Sequence, residues 1–316
     1  MPYILKLCYL ILSLFLLSCT QNPEPPLRIA TNTFPGYEPL YLARSLGYYE
    51  NTQINLVEMT SASEVIHALR NGTIEGAALT LDETLTLLAD DIRLKIILVM
   101  DFSNGADVLL TKPEINSLAE IKGKQIAVEY SAVGALLLDA ALASAKLSVT
   151  DIKVETCLYD NHINCYEEND AVITFEPVRT KLMLKGAKQL FDSSQIPGKI
   201  VDVLVVQDAV IKLNSQTIKN LLKGYFRARQ YLEKKPEKAS EQMALRQGIS
   251  SHEVISSFNG IELPSLKANR DLLEGSNKLQ ATASSLMKYL FERELLRKKV
   301  DTSNIIDASF LPENSD

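Results

Sequence analysis

The sequence has no tryptophan, only three histidines and only four cysteines. With so few histidines, and no H-E-x-x-H, a histidine-based metalloenzyme site has little to be built from. There is no G-x-S-x-G, no phosphate-binding G-x-x-x-x-G-K, and no G-x-G-x-x-G after a strand, which removes the commonest hydrolase, nucleotide and dinucleotide signatures. Positive charge is in deficit: the formal net charge is −6. A nucleic-acid partner would want a basic face, so none is expected. Only one long apolar run exists, Leu7 to Leu17, and it is too short and wrongly flanked to be a stable membrane span.

That run follows Lys6 and leads into Leu16-Leu17-Ser18-Cys19. The layout predicts an export signal over residues 1–18. A small residue before Cys19 resembles the lipobox of bacterial lipoproteins, which implies lipid on Cys19 and a proline-bearing tether over 19–26. The alternative is an ordinary signal peptide with an incidental cysteine. Removing residues 1–18 takes away one lysine and no acid, so the processed chain is slightly more acidic still. The expected location is outside the cytoplasm, anchored to a bacterial membrane and facing the periplasm or the cell exterior. Thr20 after the cysteine leaves inner and outer membrane both open.

Two cysteines remain, Cys157 and Cys165, in CLYDNHINC. An oxidising compartment makes a disulfide between them one reading. Two buried thiols are another, and a metal trio with His162 is a third, short of a fourth ligand.

Strand and helix signals alternate from Leu27 to Val206. The strand candidates are LRIAT, Ile54–Met59, Gly76–Leu79, Leu94–Met100, Ala106–Thr111 and Gln125–Glu129, then VETCL, AVITF, KQLF and VDVLVV. Ser61 with Glu64, and Thr80 with Glu83, have capping-box spacing and open helices. Alternation of this kind predicts an α/β fold of mostly parallel sheets. Two such sets predict two lobes. From Asn214 the pattern turns helical, with stripes such as Ile218, Leu221, Leu222 and Tyr225.

In open α/β sheets, ligand groups collect beyond the carboxyl ends of strands. That rule gathers Asn32, Thr33, Phe34 and Tyr37 after the first strand, Thr80 and Asp82 after the third, and Ser103 and Asn104 after the fourth. Ser131 follows QIAVE at a helix start, where unpaired N–H groups hold anions, and Glu176 follows AVITF. Taken singly, Ser131 and Thr80 read first as simple helix caps, and it is their clustering with the other strand-end residues that points to a ligand. Hydroxyls, amides and aromatics without a visible acid–base pair describe a pocket that holds a molecule rather than transforms it. No cofactor and no metal are expected.

FPGYEPLYLARSLGYY, SNGADVLLTK, SLAEIKGKQIAV, SAVGALLLDAAL and DAVITFEPVRTKLMLKGAKQLFDSS together resemble solute-binding proteins of ABC importers, the group serving nitrate, sulfonates, taurine and thiamine-precursor pyrimidines. Here Phe34 stands where that group often has tryptophan. The resemblance implies a two-lobed type 2 periplasmic-binding-protein fold with a helical C-terminal region. Lobe one would be 27–109 and 205–316, and lobe two 110–204, with crossings near Gly105–Thr111 and Ile200–Val206. It further implies a monomer that closes on a small-molecule ligand and delivers it to a permease and ATPase. Ligand contacts carried over fall on Asn32, Thr33, Phe34, Thr80, Asp82, Ser103, Asn104, Asp107, Ser131, Ala132, Val133 and Glu176, with Asp107 alternatively bracing the hinge. Acids near strand ends, Asp82, Asp101, Glu129 and Glu176, meet no Lys or Arg there, which favours a neutral or amino-bearing ligand over an inorganic anion. Two alternatives stay open. One is a ligand-binding sensor for a membrane signalling partner. The other is an enzyme like the fungal-type maker of the thiamine pyrimidine, whose CCCFC motif this chain lacks.

Overall fold

A computed structural model describes residues 24–130, 133–275 and 278–314. The expected signal segment, Cys19, Ser131 and Ala132 lie outside the described residues.

The apolar runs become eleven strands among the described residues, in two sheets. The first sheet is built from β1 (Leu27–Thr31), β2 (Ile54–Glu58), β3 (Gly76–Thr80) and β4 (Leu94–Ser103). The chain then passes into the second sheet, with β5 (Val108–Thr111), β6 (Gln125–Val128), β7 (Lys153–Thr156), β8 (Ala171–Thr174) and β9 (Lys188–Asp192). It returns for β10 (Val201–Gln207) and the short β11 (Ile261–Glu262). The strand orders are β11-β4-β10-β3-β1-β2 and β7-β6-β8-β5-β9.

Helix-linked strands run parallel, as the alternation predicts: β1 with β2 and β3, and β6 with β7 and β8. Both sheets are nevertheless mixed. The strand that arrives from the other sheet inserts antiparallel between two neighbours: β10 between β3 and β4, and β5 between β8 and β9. Alternation reports only on strands joined by a helix, so these two reversals leave no trace in it. They also move the sheet boundaries by a few residues. Val108 and Leu109, expected in lobe one, pair in the second sheet, and Val201–Leu204, expected in lobe two, pair in the first. The connections are therefore residues 104–107 and 193–200.

The helices follow the caps. In chain order they begin with α1 (Glu38–Ser45), α2 (Ala62–Arg70), α3 (Leu81–Ala89) and α4 (Val133–Ser144). Next come α5 (His162–Glu168), α6 (Val178–Leu184), α7 (Ser215–Lys234) and α8 (Pro236–Gln247). The last are α9 (Ser251–Ser257), α10 (Leu266–Arg270) and α11 (Lys278–Glu292). Ser61 accepts a hydrogen bond from the Glu64 amide at the start of α2. Thr80 and Glu83 close a reciprocal capping box on α3. The C-terminal helices pack on the first sheet: Ile218, Leu221, Leu222 and Tyr225 of α7 are fully buried, and the Tyr225 hydroxyl donates to the Met100 carbonyl at 3.1 Å. No helix among the described residues is long and apolar enough to cross a membrane.

Of the three cysteine readings, the disulfide holds: Cys157 and Cys165 are bonded. His162 between them bonds to Thr174 Oγ1 and the Cys157 carbonyl instead of completing a metal trio. The bridge closes a loop of about nine residues, which restricts the unfolded chain by about 2–3 kcal/mol. Replacing both cysteines with serine is expected to lower the unfolding free energy by about that amount, read from urea unfolding without reductant. An unchanged midpoint would show that the bridge adds nothing.

Candidate functional site

The turn that leaves β1 is a short 3-10 segment, Pro35–Tyr37, running straight into α1. Proline fixes the turn and Gly36 lets it lie flat against the first sheet. A Cβ at Gly36 would fall within 2.1 Å of Asp101 Oδ2 and 2.8 Å of the Phe34 ring. This close approach presents Phe34 and Tyr37 to the space between the two sheets.

Phe34 is answered from the other side. Its ring meets Phe175, just beyond β8, edge-on at 5.3 Å, and Tyr37 edge-on at 5.3 Å. Phe175 in turn stacks on Tyr159 at 4.2 Å, with the planes 3° apart. A continuous aromatic row thus bridges the sheets beside the 104–107 connection. Such edge-to-face and stacked pairs add about 0.5–1.5 kcal/mol each beyond their area.

A cavity with about 30 Å³ of free volume lies against this row. Six of the expected residues line it: Asn32, Phe34, Tyr37, Thr80, Asp107 and Val133. Others lie elsewhere. The Thr33 hydroxyl turns to Glu58, and the Asn104 amide donates to Glu262. Ser103 sits one layer back, donating to Asp107 Oδ2 at 2.6 Å and paired with Ser193. That arrangement supports Asp107 from behind, at the connection between the sheets. Asp82 lines a separate hollow with His67, Arg70 and Tyr130. The Glu176 carboxylate folds back onto the first turn of α6, accepting from the Thr180 amide and hydroxyl.

Glu129, one of the acids read near a strand end, also lines the cavity, while several wall residues escape the strand-end rule: Glu83, His162, Thr174, Phe175 and Asp202. His162 stands between the two cysteines of CLYDNHINC, at no strand end, yet the first turn of α5 brings it against Thr174 of β8. It is buried, and its Nδ1 meets Thr174 Oγ1 at 3.0 Å while Nε2 meets the Cys157 carbonyl at 3.3 Å. A carbonyl only accepts, so Nε2 carries the proton and Nδ1 receives the threonine hydroxyl. Burial lowers its pKa to about 4, which keeps the ring neutral at pH 7.

The acids carry the electrostatics. Asp202 receives the Tyr37 hydroxyl at 2.5 Å. Asp101 lies against it, fully buried, and no N–H or O–H of the described residues donates to either of its oxygens. Two adjacent carboxyls without a cation are stable when they share a proton. Accordingly, burial pushes Asp101 up to about 7, and burial together with the Asp101 charge pushes Asp202 well above the carboxylate range. Burial also raises Asp107 to about 6, and raises Glu83 and Glu129. Glu83 accepts from the Thr80 amide at 2.9 Å and the Val133 amide at 3.4 Å, so it ties α3 to the start of α4 across the cavity. Glu129 accepts from the Ser63 amide at 2.7 Å. No group of three or more metal-ligating side chains occurs among the described residues.

The arrangement offers aromatic faces, carboxyls and amides on both sides of a cavity, and among the described residues two chain connections join the sheets that wall it. Solved structures share this fold. The alkanesulfonate-binding protein SsuA of Xanthomonas axonopodis pv. citri, bound to MOPS, superposes with a TM-score of 0.76 at 18% identity, over 90% of this chain and 99% of that one. The periplasmic aliphatic sulphonate binding protein SsuA of Escherichia coli gives 0.73 at 20% identity, over 90% and 92%. The ligand-binding component of an ABC-type import system from Staphylococcus aureus, with zinc bound, gives 0.74 at 14%, over 92% and 99%. No curated protein matches the chain. The family model described as NMT1/THI5 like matches residues 35–239, the stretch that holds Tyr37, the cavity wall other than Asn32 and Phe34, and both connections, and the chain belongs to that family.

Proposed function

We propose that this protein is the extracytoplasmic solute-binding component of an ABC importer. It takes a small polar solute into the cavity between the two sheets, closes on it, and passes it to a permease. The observation that carries this reading is the cavity itself, walled from both sheets by an aromatic row and lying beside two short connections. Rotation about 104–107 and 193–200 would part Phe34 from Phe175 and open the wall, the hinge class of motion. At about 30 Å³ the closed cavity has room for about one water, so entry of an organic solute requires that opening. His162, the histidine that lines the cavity, has both ring nitrogens engaged, which fits a wall that binds rather than one that reacts.

Lipid on Cys19 would hold the receptor beside its permease and raise the effective concentration there. A Cys19→Ser variant is expected to leave the membrane fraction for the soluble extracytoplasmic one. Retention in the membrane would remove the anchor from the proposal.

The role is tested by small-angle scattering of the ligand-stripped chain from Thr20 onward, before and after addition of an amine and a sulfonate panel. Closure predicts a smaller radius of gyration with a binding solute and a rise in melting temperature. A solute at about a hundred times its dissociation constant adds about 2.7 kcal/mol. A rise in stability without compaction would argue against closure while leaving binding intact.

A further inference from the structure

We infer that the solute is an organic cation carrying N–H donors, a protonated amine or amidine, held by Asp107, Asp202 and Glu83 against the faces of Phe34 and Phe175. The inference rests on the solute-binding reading above and names the class of ligand for that same cavity.

Three separate observations point the same way. The first is the charge of the wall. Asp107, Asp202, Glu83 and Glu129 line the cavity, and no lysine or arginine does so among the described residues. The nearby Arg179 spends a guanidinium N–H on the Gly105 carbonyl. His162, the single histidine on the wall, has both ring nitrogens engaged and is held neutral. An anion placed here would face buried acids with no compensating charge, and an unpaired buried charge is costly.

The second is an acceptor left without a donor. Asp107 is 4% exposed and borders the cavity. Its Oδ2 accepts from Ser103 Oγ, and no described residue donates to its other oxygen. That leaves the second oxygen of a carboxylate on the cavity wall open to a donor from a ligand. A ligand N–H at Asp107, with the charge of a cation offsetting that of the acids, meets this need; a sulfonate, which only accepts, does not.

The third is the aromatic row. Phe34 and Phe175 supply aromatic rings to the wall, and a cation over an aromatic face is attracted by the ring's quadrupole. Carboxylates beside aromatic faces are the chemistry that recognises ammonium and amidinium groups. Phenylalanine at position 34 supplies the face without an indole N–H, so this wall offers an anion no donor there.

The test is isothermal titration of the ligand-stripped full-length processed chain with two matched panels. The amines are ethanolamine, putrescine, agmatine and benzamidine, and the anions are ethanesulfonate, MOPS and nitrate. At least one amine is expected to bind, with no anion binding up to about 1 mM, the level of a free energy near 4 kcal/mol. In Asp107→Asn the amine affinity should fall about a hundredfold, the lower range for breaking a buried charge pair, and in Asp202→Asn, which replaces an acceptor oxygen on the wall by a donor, it should fall about tenfold. Phe175→Leu should cost about tenfold. Circular dichroism of each variant checks that it is folded, and two independent carboxylate variants guard against one failing to fold. Binding of an anion instead of any amine overturns the inference and leaves the solute-binding reading standing. Amine binding unchanged in both folded carboxylate variants overturns the assignment to this cavity. If neither panel binds, and acid releases no small molecule from the protein as purified, both readings fall.

Discussion

Replacing Arg246 with methionine is expected to lower the unfolding free energy by about 3–5 kcal/mol. Arg246 ends α8 and forks across Glu38 and Glu58, while its guanidinium lies over the Tyr41 ring at 4.3 Å. Glu38 opens α1 with its side chain only 5% exposed. Burial already holds the Glu38 carboxyl above its ordinary pKa despite the adjacent guanidinium. Taking the arginine away leaves a buried acid that must either stay charged without a partner or take a proton. The loss should therefore be largest at high pH and shrink when Glu38→Gln is added, since glutamine needs no counter-charge. A double-mutant cycle by urea unfolding reads this directly. A loss equal in both Glu38 backgrounds would mean that packing over Tyr41, not charge, is what the arginine contributes. The contact matters to the site because α1 continues the turn that carries Phe34 and Tyr37. Loosening α8 from α1 loosens one wall of the cavity.

The unliganded protein should be most stable in mildly acidic solution, and Asp101→Asn should flatten the neutral side of that profile. A carboxyl whose pKa is raised in the folded chain keeps its proton there after the unfolded chain has released it. Its contribution is fully present below the unfolded value near 4 and is lost as pH rises through the folded value. That window closes at about 7 for Asp101 and at about 6 for Asp107 and Asp82. His162 acts with the opposite sign. Its folded value of about 4 lies below the unfolded one, so stability is present above about 6.5 and is lost as pH falls toward 4. Between these trends lies an optimum near pH 5–6. Asparagine at 101 offers Asp202 a permanent N–H in place of the shared proton. The variant is expected to gain about 2 kcal/mol at about pH 8 and little at about pH 5. Urea titrations at both pH values check it, and an equal change at both would show that the two carboxyls do not share a proton.

Much of this was legible in the residues. Strand positions followed from apolar runs, and both helices begin where Ser61–Glu64 and Thr80–Glu83 predict, the second with a full capping box and the first with the Ser61 half alone, the Glu64 carboxylate turning to Thr60. The aromatic turn after β1 faces the cavity because proline and a flat glycine leave it no other course. Side-chain direction was harder. Asp202 stands inside VDVLVV, a strand buried on both faces, where alternation cannot say which way the acid points. Asp82 and Glu83 are neighbours on one helix, about 100° apart, so only the packed phase of α3 decides which reaches the cavity. Glu176 sits at a strand end as the rule requires, but its reach is spent on Thr180. His162 enters the wall through the fold of the disulfide-closed loop, a tertiary placement with no local signal.

The most direct test of the account uses the missing tryptophan. A Phe34→Trp variant places a single reporter in the aromatic row of a chain that otherwise has none. The account predicts buried, blue-shifted emission that changes saturably when a binding amine is added, with no such change in a Leu245→Trp control on the exposed face of α8. Emission at position 34 that stays flat while titration calorimetry records binding would place the solute elsewhere and contradict the account.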